Sequence, residues 1–402
     1  MSDLPRRQLA ILGGEPLFPY ALNIVRPRFP RLESFLGRFA QGLDRGQETK
    51  HGPAVAEFEE KVSDYCGASA VVCNNGQSAL MIMLRAAGIE AGEVIVPSYT
   101  FSATPHAVRW CGASPVFADM RNMVIDPADA ERRVTARTVA VLGVDVYGLA
   151  CDYDAFESLG RKHGIKILFD SAPAFGTRFG GRPVGARGDA QMFSFHATKA
   201  FTTMEGGAVV SRDPELIRRA KALRNFGQVG GADCDEAGVN GKMMEISGLI
   251  GIEQLKGFNN VVQHRFEITE IMRLGLRNVP GVSLTNVPAG QLPVWLYFPI
   301  VIDPQRFRMN RDQLAAALER ENVHVRKYFE MPCHHMKAYR EQRGVSLPES
   351  ERTAYNVLAL PVYNDMTEAE ARGIAQAVRE IHEQAEEVVA ATSGPRLSPA
   401  AH

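Results

Sequence analysis

The sequence predicts an α/β fold in which helices cover both faces of a large, mostly parallel sheet. Residues 94–97, 139–146 and 166–170 are short apolar runs with the length and composition of buried strands. Segments with helical spacing of apolar residues separate these runs, and such alternation is typical of a parallel sheet. The composition shifts near residue 265, which predicts a second, smaller α+β domain.

This pattern divides the chain into four parts. Residues 1–30 are rich in Pro, Gly and Arg without periodicity, and we interpret them as an extended N-terminal arm that could rest on another subunit. Residues 31–264 hold the large sheet, and residues 265–390 form the small C-terminal domain. Residues 391–402 are rich in Ser, Pro, Gly and Ala, which predicts a disordered tail.

Local signals in the small domain predict where two helices begin. Asn310 and Thr367 each stand three residues before a Gln or Glu that can bond back to the cap, which is the pattern of a capping box. After Thr367, the residues Ile374, Val378 and Ile381 fall on one helix face. We therefore expect a long amphipathic helix at the end of this domain.

Composition excludes several classes of function. The 402 residues include 45 basic and 46 acidic side chains, so no overall field favours nucleic acid or a membrane surface. The six cysteines are irregularly spaced without a CxxC pair, which favours a reduced, cytoplasmic protein. No apolar run is long enough to span a bilayer, and the first residues lack the apolar core of a signal peptide.

Polar and aromatic residues follow the carboxyl ends of the predicted strands. In open α/β sheets, ligands collect at this edge. A glycine-containing turn between a strand and a helix also presents free backbone N–H groups to an anion. The residues that we expect to share one site at this edge are Gly76, Gln77, Phe101, Asp170, Ser194 and Lys199.

Lys199 is the centre of this set, because it lies in a stretch that is otherwise poor in charge and rich in hydroxyls. A lysine in a partly apolar site can lose its proton and attack a carbonyl as a Schiff-base nucleophile. A pyridoxal phosphate (PLP) enzyme also requires a carboxylate for the pyridine nitrogen, a phosphate cradle and a flat apolar group against the ring. Asp170, Phe101 and the turn at Gly76 could supply these parts.

Six motifs carry a resemblance to a known family: NGQSAL (75–80), VIVPSYTFSAT (94–104), FDSA (169–172), FSFHATK (193–199), EGG (205–207) and NGKM (240–243). With them, the chain resembles the DegT-type, PLP-dependent nucleotide-sugar aminotransferases. The resemblance covers nearly the whole chain. It implies the type I, aspartate aminotransferase-like fold, in which residues 31–264 are the PLP-binding domain.

Residue roles follow from the resemblance position by position. Lys199 forms the Schiff base with the cofactor and moves the proton, Asp170 pairs with the pyridinium, and Phe101 stacks on the ring. The cofactor phosphate is bound by Gly76, Gln77 and Ser194. The family's active sites lie at the interface of a homodimer, so Asn240 reaches the phosphate site of the neighbouring subunit, and Lys242 beside it contacts substrate.

Further substrate contacts are expected in the small domain. Arg326 and Tyr328 suit a nucleotide diphosphate, although a solvated charge after a strand is an equal interpretation for Arg326. His334 lies between Cys333 and His335 and is expected in a substrate loop. A metal site there is the alternative, which we disfavour because no further ligand completes a tetrahedral set.

Within the family, the chain looks closest to the 4-aminotransferases of dTDP-4-keto-6-deoxyglucose. The implied reaction moves an amino group from glutamate or glutamine to a keto-sugar, at C4, in a deoxysugar pathway for an antibiotic or polysaccharide. Three residues depart from the family pattern around the cofactor. Pro173 replaces the usual His, Gln or Glu, Asp145 replaces His, and Gln77 replaces Thr.

Three alternatives remain beside this interpretation. Sugar dehydration on the same fold is disfavoured, because dehydrating relatives carry histidine in place of Lys199. A different acceptor, such as a cyclitol or an aminohydroxybenzoate precursor, stays open. A PLP-binding regulator is disfavoured, because the sequence lacks a helix-turn-helix or a basic arm.

Overall fold

The computed structural model describes residues 6–46, 49, 51–230 and 233–392. The predicted tail lies outside these residues from position 393 onwards. Among the residues described, no helix combines the length and the apolar character that crossing a bilayer requires.

A seven-stranded sheet forms the centre of the larger unit. In chain order its strands are β1 (Ser69–Cys73), β2 (Glu93–Pro97), β3 (Ser114–Ala118), β4 (Thr138–Val144), β5 (Lys166–Asp170), β6 (Ala190–Ser194) and β7 (Gly207–Ser211). Their spatial order is β1–β7–β6–β5–β4–β2–β3. Strand β7 is antiparallel to both of its neighbours, and the other pairs are parallel. The predicted mostly parallel α/β sheet is confirmed.

Helices cover both faces of this sheet. They are α1 (Leu36–Asp44), α2 (Pro53–Cys66), α3 (Gly76–Ala86), α4 (Ala103–Trp110), α5 (Pro127–Arg132), α6 (Tyr153–His163), α7 (Pro214–Arg224) and α8 (Glu245–Leu255). Alternate residues of a strand pack on opposite faces of the sheet. Val72 packs with α2 and α8 on one face, whereas Val71 packs with α3, α4 and α7 on the other. This period of two explains why the buried strands are apolar along their whole length.

The second unit surrounds a three-stranded antiparallel sheet. It contains β8 (Val282–Leu284), β9 (Phe298–Ile302) and β10 (Val357–Leu360), with α9 (Phe258–Leu276), α10 (Pro304–Phe307), α11 (Arg311–Arg320), α12 (Pro348–Asn356), α13 (Glu368–Glu383) and α14 (Ala385–Thr392). Both predicted capping boxes, at Asn310 and Thr367, are present.

Helix α9 links the two units, because its residues enter both cores. Phe258 and Val262 pack with the large sheet, whereas Ile268 and Met272 pack in the core of the second unit. The predicted boundary between residues 264 and 265 therefore falls within one continuous helix.

The N-terminal segment packs on its own chain. Leu9, Phe18 and Leu22 are buried in the core of the second unit. The carboxylate of Glu321 accepts hydrogen bonds from the backbone amides of Ala10 and Leu17, which fixes the segment in place. The interpretation of residues 1–30 as an arm that rests on another subunit is corrected for this part of the segment, because its apolar side chains complete the core of the same chain.

Several short strands complete the fold: Met120–Arg121 with Val124–Ile125, Arg178–Phe179 with Arg182–Pro183 and Gln291–Leu292, and Gln228–Gly230 with Asp233–Cys234. The six parallel strands of the large sheet end at one common edge, and the antiparallel β7 begins there. This edge positions the candidate site.

Candidate active site

A cavity of about 520 Å³ lies at the carboxyl ends of β4, β5 and β6 and is closed on one side by loops of the second unit. Eight of the predicted site residues line it: Gly76, Gln77, Phe101, Asp170, Ser194, Lys199, Arg326 and Tyr328. We call it the active-site cavity. The prediction that residues after successive strands meet in one place is thus reproduced by the geometry.

Lys199 lies in the loop between β6 and β7. Two backbone hydrogen bonds close this loop, from Phe195 N to the carbonyl of Gly206 (2.8 Å) and from Thr203 N to the carbonyl of Phe195 (2.9 Å). Burial lowers the pKa of the Lys199 amine to about 8, although the charge of Asp170 opposes this shift. A larger fraction of the amine is therefore unprotonated, and nucleophilic, near neutral pH than in a lysine with an ordinary pKa.

Asp170 ends β5 and is only 5% exposed. Its carboxylate accepts hydrogen bonds from Thr104 Oγ1 (2.7 Å) and from the amide of Ala172 (3.1 Å). Burial raises the pKa of Asp170, whereas these bonds and the charge of Lys199 lower it. The carboxylate is thus held in one orientation at the cavity wall, as pairing with a cationic ring nitrogen requires.

The N-terminus of α3 forms an anion cradle with Ser194. Asn75 caps the helix by accepting a bond from Ser78 N (2.8 Å), so the amides of Gly76 and Gln77 stay available at the positive end of the helix. A Cβ atom at Gly76 would lie 2.8 Å from Cβ of Ser194 and 2.9 Å from its hydroxyl oxygen. Glycine is therefore the residue that lets backbone and hydroxyl approach one phosphate together.

Aromatic rings form the rest of the wall. Phe101 is 55% exposed, and its ring stacks at 6.3 Å on that of Tyr328. Nη1 of Arg326 donates to the hydroxyl of Tyr297 (3.4 Å). Burial raises the pKa of Tyr328, so its phenol stays neutral. This side of the cavity offers flat rings, neutral hydroxyls and one guanidinium.

Three predicted residues do not line the active-site cavity. Asn240 is exposed on the surface, and Lys242 lines a different cavity, with basic neighbours from α7, where its ammonium lies 4.4 Å from the ring centre of Phe226. Burial lowers the pKa of Lys242. Within one chain, these two residues are separate from Lys199.

His334 is the third, and its predicted substrate contact is corrected. The ring is fully buried, and its Nδ1 and Nε2 are bonded to Ser98 Oγ (2.6 Å) and to Glu351 (3.3 Å). These bonds hold the loop against the large sheet and turn the ring away from the cavity. The atoms of His334, His335 and Glu351 that could bind a metal lie within 4.8 Å of one another. The expectation that no metal binds at this position stays a prediction.

Only two of the three departures from the family pattern line the cavity. Pro173 and Gln77 do so, and the Gln77 side chain reaches the carbonyl of Ala103 (3.5 Å). The carboxylate of Asp145 instead accepts bonds from the hydroxyls of Ser171 (2.5 Å) and Tyr153 (2.7 Å), and burial raises its pKa to about 6. The expected position of Asp145 around the cofactor is corrected, because it lies in the interior with no place in the cavity lining.

Sequence reasoning missed several contributors. The bond from Thr104 to Asp170 joins the first turn of α4 to the end of β5, and a polar residue in that turn was the available signal. Leu296 and Tyr297 reach the cavity from the loop before β9. No local pattern marks these two, because their position depends on packing between the units.

The residues present fit pyridoxal phosphate. A lysine, an oriented buried carboxylate, an anion cradle that a Cβ would fill and an exposed flat ring surround one cavity, which is the set that this cofactor requires. The fold and the site together define a PLP-dependent enzyme of the type I fold.

Comparison with known proteins identifies the family. Residues 32–379 match the model of the DegT/DnrJ/EryC1/StrS aminotransferase family, and the chain belongs to this family. It is 32% identical to a dTDP-4-amino-4,6-dideoxy-D-glucose transaminase of Shigella dysenteriae, over 89% of this chain and 98% of that protein. It is 33% identical to a dTDP-3-amino-3,4,6-trideoxy-alpha-D-glucose transaminase of Streptomyces venezuelae, over 87% and 92% of the two chains.

A solved structure is also similar to this chain. The crystal structure of DesI in the presence of its TDP-sugar product superimposes with a TM-score of 0.88 at 37% identity, over 95% of this chain and 98% of that chain. The protein is a PLP-dependent aminotransferase of the nucleotide-sugar type. The predictions of family, fold, enzyme class and cofactor are confirmed.

Proposed function

We propose that this enzyme moves an amino group from glutamate or glutamine to the C4 carbon of a nucleotide-activated 4-keto-6-deoxysugar. The observation that carries the proposal is the active-site cavity, where Lys199 and Asp170 face a wall of aromatic rings with one guanidinium. The similarity to a transaminase that is named for a 4-amino sugar supports C4. A relative named for a 3-amino sugar is comparably similar, which makes the aminated carbon the point to test.

Different residues of the chain have different roles in the proposed reaction. Pyridoxal phosphate, when bound, supplies the carbonyl that receives the amine and the electron sink that stabilises the carbanion. The amides of Gly76 and Gln77 and the hydroxyl of Ser194 would hold its phosphate, and Asp170 would keep a proton on its ring nitrogen. Lys199 would hold the cofactor covalently and then move the substrate proton, for which a pKa near 8 is well matched.

The opposite wall would bind the sugar. The ring faces of Phe101 and Tyr328 suit the apolar face of a deoxysugar, and the neutral phenols of this wall can donate to its hydroxyls. The guanidinium of Arg326 suits an anionic group of either substrate, a diphosphate or a donor carboxylate.

A substrate screen tests the function. The enzyme is incubated with glutamate or glutamine and with dTDP-, UDP- and GDP-linked 4-keto and 3-keto sugars, and the products are read by mass spectrometry and NMR. We expect amination at C4 of a dTDP-4-keto-6-deoxyglucose. Amination at C3 would overturn the position, and turnover of a cyclitol ketone with inertness towards every sugar would establish the alternative acceptor.

We also propose a homodimer in which each subunit completes the other's site with Asn240 and Lys242. Neither residue lines the active-site cavity of its own chain, although the carbonyl of Asn240 accepts a bond from Asn74 Nδ2 (3.4 Å) beside the turn at Gly76. Large apolar side chains are exposed near the two residues, such as Phe226 and Met244. An exposed amide and a half-buried ammonium beside an apolar surface suit a shared site in which a second copy covers that surface.

Subunit complementation tests the shared site. Lys199→Ala and Asn240→Ala variants are inactivated singly, then mixed under conditions that exchange subunits. Random exchange makes half of the dimers mixed, each with one intact site, so about one quarter of the wild-type activity should return. A mixture that stays inactive while affinity capture of one tagged variant shows that it has paired with the other would place Asn240 in its own subunit's site.

A further inference from the structure

We propose that Arg265 and Asn364 are positioning residues that hold Lys199 and the opposite wall of the active-site cavity in one fixed arrangement. The inference rests on the proposed function in one respect, the role of Lys199 as the reacting amine. It concerns residues that lie outside the cavity and that no feature of the sequence singled out.

Arg265 gathers several loops around one buried guanidinium. It lies in α9 and is 2% exposed. Its Nε donates to the carbonyl of Val294 (2.9 Å), and its Nη2 donates to the carbonyls of Leu296 and Val362 (3.1 Å each). Trp295 adds a further carbonyl. The loop before β9 and the loop after β10 are thus tied to the helix that joins the two units.

Asn364 extends this network to the reacting lysine. Its Oδ1 accepts a bond from Nη1 of Arg265 (2.8 Å), and its Nδ2 donates to the carbonyl of Ala200 (2.9 Å). Ala200 is the residue directly after Lys199. The amide therefore fixes the lysine loop to the same guanidinium that holds the second unit's loops.

The other end of the network is the cavity wall. Leu296 and Tyr297 line the cavity, and Leu296 N donates to the carbonyl of Tyr147 (2.8 Å). Trp295 and Tyr147 both have positive φ angles, 38° and 59°, which are unfavourable for residues other than glycine. The carbonyl contacts of Arg265 hold this loop in a conformation that its own sequence disfavours.

The chemistry of Arg265 differs from that of a structural ion pair. Each hydrogen bond that it makes goes to a neutral carbonyl or amide oxygen. Burial lowers its pKa to about 9, which leaves it charged at neutral pH. Burying such a charge costs free energy. Its role in the fold is therefore to orient the groups around it. The groups so oriented line the active-site cavity from the sheet side and from the second unit.

Two substitutions at Asn364 separate positioning from packing. Asn364→Asp keeps the acceptor for Arg265, removes the donor to the Ala200 carbonyl and adds a negative charge. Asn364→Leu removes both bonds and adds no charge. Asn322→Asp is the matched control, because Asn322 also donates to a backbone carbonyl, that of Phe18 (2.8 Å), away from the cavity.

The first readout compares the effect of each substitution on kcat with its effect on KM. Transamination depends on the lysine position at the level of about 1 Å, so we expect both Asn364 variants to lower kcat about 10- to 100-fold and to leave KM for the keto-sugar within about threefold. Asn322→Asp should match the wild type in both constants. An equal loss in Asn322→Asp, or wild-type kcat in both Asn364 variants, would overturn the inference.

The second readout needs no cofactor or turnover. The rate at which acetic anhydride labels Lys199 in the cofactor-free enzyme is followed against pH by peptide mass spectrometry. We expect the midpoint to move upward by about one pH unit in Asn364→Leu, because a displaced amine is better solvated. An unchanged midpoint in a folded variant would overturn positioning. If the wild type aminates no keto-sugar, the proposed function fails, while this comparison still decides the role of Asn364.

Discussion

The two walls of the active-site cavity are built in different ways. On the sheet side, Asp170 and Ser194 end strands, and backbone or hydroxyl partners fix each group. On the other side, Arg326 and Tyr328 come from the second unit. The backbone of Arg326 is bridged to Ala359 of β10, whereas a long hydrogen bond holds its side chain and a ring stack holds Tyr328. The comparison teaches that Asp170 and Ser194 are positioned by the local structure of the sheet, whereas the wall that we propose to meet the sugar depends on packing between the units.

The largest effect is expected on the sheet side, at Lys199. Lys199→Ala removes the nucleophile and the proton carrier together, so kcat should fall by at least about 10⁴-fold, and the visible absorbance of the bound cofactor should lose its lysine-dependent band. Stopped-flow and steady-state assays measure both. Lys256→Ala, on the exposed end of α8, is the control and should behave as wild type. Turnover within tenfold of wild type would contradict the assignment of Lys199.

Asp170→Asn should give the next largest loss. The amide keeps the shape and the acceptor for Thr104 but carries no charge to keep a proton on the ring nitrogen. We expect kcat to fall about 10²- to 10³-fold, with a smaller change in cofactor affinity. Fluorescence titration of the cofactor and steady-state kinetics separate the two quantities. An unchanged kcat would show that this carboxylate is structural.

The other wall should respond differently. Arg326→Gln removes the one guanidinium among the described lining residues, so we expect KM for a substrate to rise about 10- to 100-fold while kcat stays within about threefold. Measuring KM separately for donor and keto-sugar identifies the anionic group that Arg326 meets. Arg320→Gln, at the exposed end of α11, is the control. A fall in kcat with unchanged KM would assign Arg326 to the reacting side.

The same contrast explains what the sequence could predict. The strand over residues 166–170 is observed as Lys166–Asp170, and the helix expected near 152–163 is observed as Tyr153–His163. Six predicted groups of the sheet side meet in the cavity, because the ends of parallel strands share one edge. Local signals sufficed there, since each residue's place follows from the element in which it lies.

Residues that depend on packing between segments were harder to predict. His334 was expected near substrate and is buried against Ser98, and Tyr297 lines the cavity without any signal in the sequence. The boundary predicted at residue 265 falls within α9, because a helix that serves two cores shows no break in its pattern. Such positions depend on long-range contacts, which periodicity and motif spacing do not reveal.

The smallest expected effect is the contribution of Lys199, on the sheet side, to a pH dependence of stability that it shares with the buried Arg265 (pKa about 9). The pKa of Lys199 is about 8 in the folded enzyme against an ordinary value of 10.5, so the unfolded chain binds more protons between these values. The free energy of unfolding of the cofactor-free enzyme should therefore rise with pH across this window, by about 1–2 kcal/mol after allowance for the partial exposure of Lys199. Urea titrations of wild type and Lys199→Met compare the dependence directly. The Met variant should lose this rise and Arg326→Gln should keep it, whereas the same rise in all three proteins would show that other groups cause it.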